Sequence, residues 1–311
     1  QWNVCQEGTM VPGGYDAIVN EIVRLKPDFV TFSEVRNYNK TNFTARVCAS
    51  LKEKGLSYYS FYSYDTGLLS KHPITDSLTV FPEKDDHGSI YRLTSSVNGQ
   101  KVAVYSSTLE YLDCVYYNAR GYGGSTRKEI PLPASVEEIL KVNVASQRDD
   151  AIRLFITQAE KDLAAGYKVI IGGDFNEPSH RDWIEKNKDM YDHNGFVVPW
   201  TVTTLLEEAG FVDSYRKIYP NPLTHPGFTY PSDNLLIAPE KLTWAPKADE
   251  RERIDFIFYQ GKGLQAEKAI IFGPKSSIVR SQRVKETTKD KFLLPKGVWP
   301  TDHKGLLVTF R

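Results

Sequence analysis

Short segments of this 311-residue chain place acids, amides or an imidazole at the ends of strand-like runs. Trp2-Asn3-Val4 offers an amide, and Phe32-Ser33-Glu34-Val35 puts a carboxylate after an apolar run. Ile171-Gly172-Gly173-Asp174-Phe175-Asn176 carries an acid and an amide two residues apart, which in extended chain means the same side. Arg253-Ile254-Asp255-Phe256-Ile257 embeds an acid in an apolar strand, where an unpaired charge is costly. Thr301-Asp302-His303 brings an acid and an imidazole to the start of the last strand. Carboxylates and amides without a Cys/His cluster make a hard-oxygen site, suited to Mg2+ or Mn2+ rather than zinc. A further acid can then activate water, and a histidine backed by an acid can donate to phosphate. That chemistry is metal-assisted phosphoester hydrolysis.

Each residue alone has a plainer reading. Glu34 suits a solvated strand end, and Asp174 suits a turn cap, because Gly-Gly-Asp is turn chemistry. Asp255 suits a structural partner for Arg253, Asp302 a loop cap, and His303 a packed surface imidazole. The chemical reading rests on the set, because all fall at comparable places on strands, where α/β proteins bind ligands.

The elements that must carry these residues are legible. Ile18, Ile22, Val23 and Leu25 recur at helical spacing behind Gly13-Gly14, with Pro27 beyond. Residues 28–32 then read as a buried strand, and 42–54 as a second helix stopped at Gly55. Aromatic and β-branched runs at 57–62, 90–97 and 101–108 read as strands, the last two joined by Asn98-Gly99, a hairpin signal. Ile152, Phe155, Ile156, Ala159 and Leu163 mark one helix face, closed by Gly166, and deliver a strand at 167–171. Further strands are expected at 253–259 and 305–310. Residues 111–142 are rich in Tyr, Gly and Pro with little periodicity. Two readings of that loop stand side by side. In one, its tyrosines, Asn118 and Arg120 form a substrate platform near Thr108. In the other, an aromatic loop packs on itself.

Lys+Arg is 39 and Asp+Glu is 39, so bulk positive charge for gripping polyanions is excluded. With 41% hydrophobic and 12% aromatic residues the chain builds a core rather than a disordered segment. Cys5, Cys48 and Cys114 hold one bridge at most, and no apolar run approaches a membrane span. The chain opens abruptly in strand-like sequence, as after a removed leader or a cut in a longer sequence, and a removed leader would suit a secreted or periplasmic location. Asn39 and Asn42 head sequons that read as chance occurrences.

The chain resembles the endonuclease/exonuclease/phosphatase family, the deoxyribonuclease I-like superfamily. The segments around Asn3, Glu34, Asp174, Asp255 and His303 carry the resemblance, together with Gly67-Leu68-Leu69-Ser70-Lys71-His72-Pro73-Ile74. They run in family order from residue 2 to residue 303. The resemblance implies a four-layer α/β/β/α sandwich with two packed central mixed sheets, built by residues 1–311 as a single domain. It implies Glu34 as principal metal ligand, supported by Asn3, with Asp302 completing the metal shell around Mg2+ (or Mn2+). Asp174 matches the acid that orients or deprotonates the attacking water, and Asn176 an amide on phosphate or water. Asp255 matches the acid that buttresses a histidine, and His303 that histidine. His72 matches a packing position.

The chain departs from the family where Thr108 stands in place of a His or Tyr, and Cys5 where some relatives have an acid. The first departure puts a short neutral hydroxyl where relatives bring a longer group to phosphate, and Thr108, Asn118 and Arg120 read as substrate contacts. The second argues against a two-metal site. The family's substrates span nucleic acids, phosphoinositides and sphingomyelin-type lipids, so the implied partner is a phosphoester: a phospholipid headgroup, a small phosphodiester or a nucleic acid. No stable protein partner is implied. A binding protein that has lost catalysis is the alternative, with Thr108 its one support. A two-carboxylate glycosidase is a third reading.

Overall fold

In the computed structural model, which describes residues 1–85 and 87–311, the apolar runs pair into sheets that stack face to face. One face is built from β1 (Trp2–Asn3), β2 (Phe29–Val35) and β3 (Asp65–Ser70). The other is a six-stranded mixed sheet of β4 (Ile74–Phe81), β5 (Gly88–Val97), β6 (Gln100–Leu109), β7 (Lys168–Asp174), β8 (Val212–Asp213) and β9 (Asp255–Gln260), in the order β4-β5-β6-β7-β9-β8. Next come β10 (Ala266–Phe272), the hairpin β11 (Ser276–Val279) and β12 (Gln282–Lys285), β13 (Phe292–Leu293) and β14 (Gly305–Phe310). The β13-β10-β14 sheet abuts the first one, because Gln1 and Leu306 exchange two backbone hydrogen bonds of 2.9 Å.

Helices cover the outer faces. After the single turn α1 (Cys5–Gly8), α2 (Gly14–Leu25) starts from Gly13 and stops at Lys26, both left-handed, just before Pro27. In α3 (Phe43–Glu53), the Asn42 side chain accepts from the Ala45 N–H, a cap worth about 1 kcal/mol. These two helices bury Ile18, Ile22, Val47 and Leu51 against Trp2, Phe32 and Leu69. After α4 (Val136–Asn143), α5 (Arg148–Ala164) and α6 (Thr201–Glu208) cover the six-stranded sheet, with α7 (Ser214–Ile218) beyond. Ala151, Ile152, Phe155, Val202 and Leu206 meet Tyr105, Val169 and Ile171 there. Full burial of each large apolar side chain contributes roughly 1.5–3 kcal/mol. The expected α/β/β/α layering is thus present.

Between the sheets, Leu68, Leu93, Val102 and Val104 form a small apolar cluster. Nearer the strand ends the interlayer contact turns polar: Ser106 Oγ donates to Phe32 O at 3.0 Å, and Ser33 Oγ to Ser107 O at 2.8 Å. Gly172 and Gly173 lie inside β7 rather than in a turn. A Cβ on Gly172 would collide with Thr31 across the layers, and one on Gly173 with Ser107 on the neighbouring strand. A cavity of about 510 Å3 opens between β2 and β14, and the acids and histidine described below take no part in its lining.

The expected strand at 57–62 is absent as a ladder. Tyr59 makes an isolated bridge to Ser70, and Tyr58 is buried while Tyr59 and Tyr62 are exposed, so a single buried ring is too little to hold a full strand. Asn98 and Gly99 do turn the β5–β6 hairpin, both at positive φ. Residues 111–142 carry a 3-10 turn at Asn118–Arg120 and most of α4.

Candidate active site

The strand ends converge where the two layers meet. Thr108, Asp174 and Asp255 are direct neighbours across β6, β7 and β9. From the opposing sheet, Asn3 on β1 lies beside Ser33 on β2, and a register shift between Ser33 and Val35 leaves Glu34 as a bulge at φ 63°. Left-handed backbone costs a non-glycine residue roughly 1–2 kcal/mol, and here it aims a carboxylate at the opposite layer. Ser33 rivets the two sheets: besides its bond to Ser107 O, its hydroxyl accepts the Asp174 N–H at 3.0 Å.

The Asn3 amide nitrogen donates to Glu34 Oε1 and to Asp174 Oδ2, each at 2.9 Å, and lies 3.4 Å from His303 Nε2. Its oxygen accepts the Cys5 N–H at 2.8 Å, which fixes the amide's orientation. Asp174 Oδ1 accepts the Asn176 N–H at 2.9 Å, while Asn176 Nδ2 donates to Leu109 O. His303 Nδ1 lies 2.8 Å from Asp255 Oδ2, and its Nε2 lies 3.8 Å from Asp174 Oδ2. Asp255 is fully buried and also accepts from Gln1 Nε2. Arg253 pairs instead with Asp182 and Asp213, so the Asp255 partner is the imidazole and not the arginine. The Tyr230 ring packs on His303 with centroids 4.9 Å apart.

Charges in this corner are far from their aqueous balance. Burial would depress the His303 imidazolium, but Asp255 and Asp174 override it and raise its pKa to about 10. The ring is therefore a cationic donor with Nδ1–H on Asp255. Burial and then the charge of Asp255 raise Asp174 to about 7. Burial and then Asp302 raise Glu34, with the Asn3 bond opposing. Ligand atoms of Glu34, Asp174 and His303 all fall within 4.8 Å of one another. Carboxylates crowded until they resist ionisation, in a set of oxygen donors, fit a hard divalent cation. Asp302 stands at the edge of this group: its charge is felt at Glu34 and at the Cys5 thiol, and its carbonyl accepts the Ser232 N–H at 2.6 Å.

The three residues read as substrate contacts are engaged within the protein. The Thr108 hydroxyl is buried, donates to Asp65 O at 2.6 Å and accepts the Glu34 N–H at 3.3 Å. It braces the bulge. Arg120 is buried and turned inward, with Nη2 2.7 Å from Glu252 Oε1 and Nε donating to Asp249 O and Tyr191 O. Breaking such a buried pair costs about 3–5 kcal/mol, so Arg120 is committed to the fold. Asn118 Oδ1 accepts the Gly124 N–H within its own loop. Tyr116, Tyr117 and Tyr122 are buried with Trp183 and Trp200, so the self-packing reading of this loop holds. His72 packs on Phe29, as its position implied. Cys5, Cys48 and Cys114 are free thiols.

Sequence reasoning missed Ser33 and Tyr230. Ser33 was visible only as a small polar residue between Phe32 and Glu34, and Tyr230 as part of a turn-rich run.

The model of the Endonuclease/Exonuclease/phosphatase family matches residues 1–303. An uncharacterised Caenorhabditis elegans protein, F14F9.5, is 26% identical over 264 residues, spanning 84% of this chain and 77% of that protein. Among solved structures, truncated C. elegans TDP2 superposes with a TM-score of 0.55 at 18% identity, covering 100% of this chain and 95% of the other. D. rerio TDP2 complexed with a single-strand DNA product gives 0.54 at 16% identity, covering 100% and 96%. An endonuclease/exonuclease/phosphatase from Beutenbergia cavernae gives 0.53 at 14%, covering 100% and 70%. At these identities the structures speak for the fold. With the family match over nearly its whole length, the chain belongs to the endonuclease/exonuclease/phosphatase family.

Proposed function

We propose that this chain hydrolyses phosphodiesters with the help of one divalent cation, Mg2+ or Mn2+. The observation that carries this reading is the convergence of Glu34, Asp174 and His303 within 4.8 Å, with Asp255 behind the imidazole. Glu34 would hold the cation, with Asn3 fixing its carboxylate and Asp302 alongside. When bound, the cation supplies Lewis acidity toward the phosphoryl oxygens.

The remaining steps belong to the chain's own groups. Asp174, oriented by Asn3 and the Asn176 N–H, holds the attacking water and takes its proton. His303, kept cationic by Asp255, donates from Nε2 to a non-bridging oxygen and offsets the charge that grows there. Asn176 positions Asp174 through its backbone. Burial of Asp174, Asp255 and His303 keeps bulk water from screening these interactions.

A divalent-ion panel on bis-nitrophenyl phosphate tests the proposal. Turnover should appear with Mg2+ or Mn2+ and vanish in excess chelator, and wild-type turnover in chelator would sink it. The D. rerio relative was solved with a single-strand DNA product, so oligonucleotides belong in the panel beside lipid and inositol phosphodiesters.

The binding-only alternative rested on Thr108. Its hydroxyl supports Glu34, so loss of a histidine there is not loss of the site. Replacing Thr108 by Val removes both hydrogen bonds, and is expected to weaken ion affinity by about 10- to 100-fold, the range for groups that orient a ligand. Thr108→Ser should restore it. Ion-dependent melting shifts check this, and an unchanged shift in the Val variant would mean that Thr108 does not position Glu34.

A further inference from the structure

One rim of the site is built from two loops with an unusual surface. Ser232 N–H donates to Asp302 O, and Asn234 Nδ2 to Trp299 O at 2.9 Å, so the 232–237 loop is tied to the loop that carries Asp302 and His303. Just beyond these anchors Leu235 is 82% exposed and Leu236 58%. On the partner loop Leu294 is 54% exposed and Val298 41%. Single exposed aliphatic residues are ordinary, but a cluster on two linked loops beside a site marks a contact surface.

Charge on the approach to this rim is one-sided. In segment 282–298 Lys285, Lys289, Lys291 and Lys296 are exposed, while Arg283 is paired with Asp233 on the 232–237 loop. The acids Glu286 and Asp290 are buried, Glu286 Oε2 being paired with Arg251 and Asp290 hydrogen-bonded by Tyr215 and Thr288. Net neutrality of the whole chain hides this basic edge.

We infer that this rim docks the protein on a lipid bilayer carrying anionic headgroups, with the leucines entering the interface and the lysines facing the headgroups. Aliphatic tips with flanking lysines are what an interface selects. Single-stranded nucleic acid selects exposed aromatic rings, and on these loops Phe292 is half-buried and Trp299 buried. No helix among the described residues is long and apolar enough to cross a membrane, so the contact is peripheral. Docked this way, the site faces phosphodiesters presented at the bilayer surface. That last consequence, unlike the docking, rests on the phosphoesterase reading.

Co-sedimentation with phosphatidylcholine vesicles, with and without phosphatidylserine, tests the docking, alongside a fluorescent oligo-dT. The full chain should partition at least about tenfold better to the anionic vesicles and detach in high salt. Leu235→Ser with Leu236→Ser should abolish the partition, and Lys296→Glu should weaken it about fivefold or more. Absence of vesicle binding, equal binding by the leucine variant, or oligo-dT binding that only the wild type shows without vesicle binding would each overturn the proposal. Turnover of soluble bis-nitrophenyl phosphate, measured in the same leucine variant, should equal wild type. Vesicle binding without any such turnover in either protein would leave the docking intact and remove the phosphoesterase reading.

Discussion

Asp174→Asn should lose about 10^2- to 10^4-fold in kcat, the usual range for a positioned proton acceptor, while gaining stability in chelator at neutral pH. Asp174 is 1% exposed and faces Asp255, so its carboxylate is both desolvated and repelled. An amide of the same shape keeps an acceptor for Asn3 or Asn176 and removes the charge. The sign of the pH effect follows from the raised pKa. A carboxyl raised to about 7 in the folded protein contributes its stability below the unfolded value near 4 and loses it as pH rises through 7. The Asn variant lacks that loss, so its melting temperature should exceed wild type at pH 8 and converge with it at pH 4. Turnover within threefold of wild type would remove Asp174 from the chemistry. A melting advantage that failed to grow with pH would remove its electrostatic burden.

The second large effect is expected at Glu34. Glu34→Gln retains an acceptor for Asn3 and fits the same bulge, so the fold should tolerate it. It removes the negative charge proposed to hold the cation. Ion affinity should fall more than about 100-fold, beyond the effect of groups that merely orient a ligand, and turnover at fixed ion concentration should fall with it. A Mn2+ titration followed by thermal melting reads the affinity directly, because an ion that binds only the folded state raises the melting temperature by mass action. A wild-type ion response in Glu34→Gln would move the cation elsewhere.

The sequence was informative where one period ran unbroken. Asn98-Gly99 between β-branched runs could only be a hairpin, and the Ile152-to-Leu163 face could only be a helix against a sheet. Asn3, Glu34, Asp174, Asp255 and His303 were legible because apolar strands ending in acids or amides are costly unless the groups meet something. Composition misled where the core was aromatic. The 111–142 segment buries Tyr116 and Tyr117 against Trp183 without any helical or strand period, so its sequence left the platform and self-packing readings equally open. The plain reading of Gly-Gly-Asp held in part: Asp174 does cap the turn after β7 through the Asn176 N–H, but the two glycines serve close packing inside the strand. The bond of Thr108 to the Glu34 N–H was not legible, because the Glu34 bulge follows from strand register and leaves no local mark. Helix α6 and strands β10 to β12 went unread, being short or half-exposed.

The Ser33 hydroxyl, held between Ser107 O and the Asp174 N–H, makes the proposed reacting groups a joint between two slabs rather than a feature of either. Glu34 and Asn3 travel with one slab, Asp174 and Asp255 with the other. A slip of one slab against the other by a fraction of a bond length separates them while every helix and ladder survives. Catalytic output therefore reports interlayer alignment, and should fade on heating before circular dichroism records any loss of secondary structure.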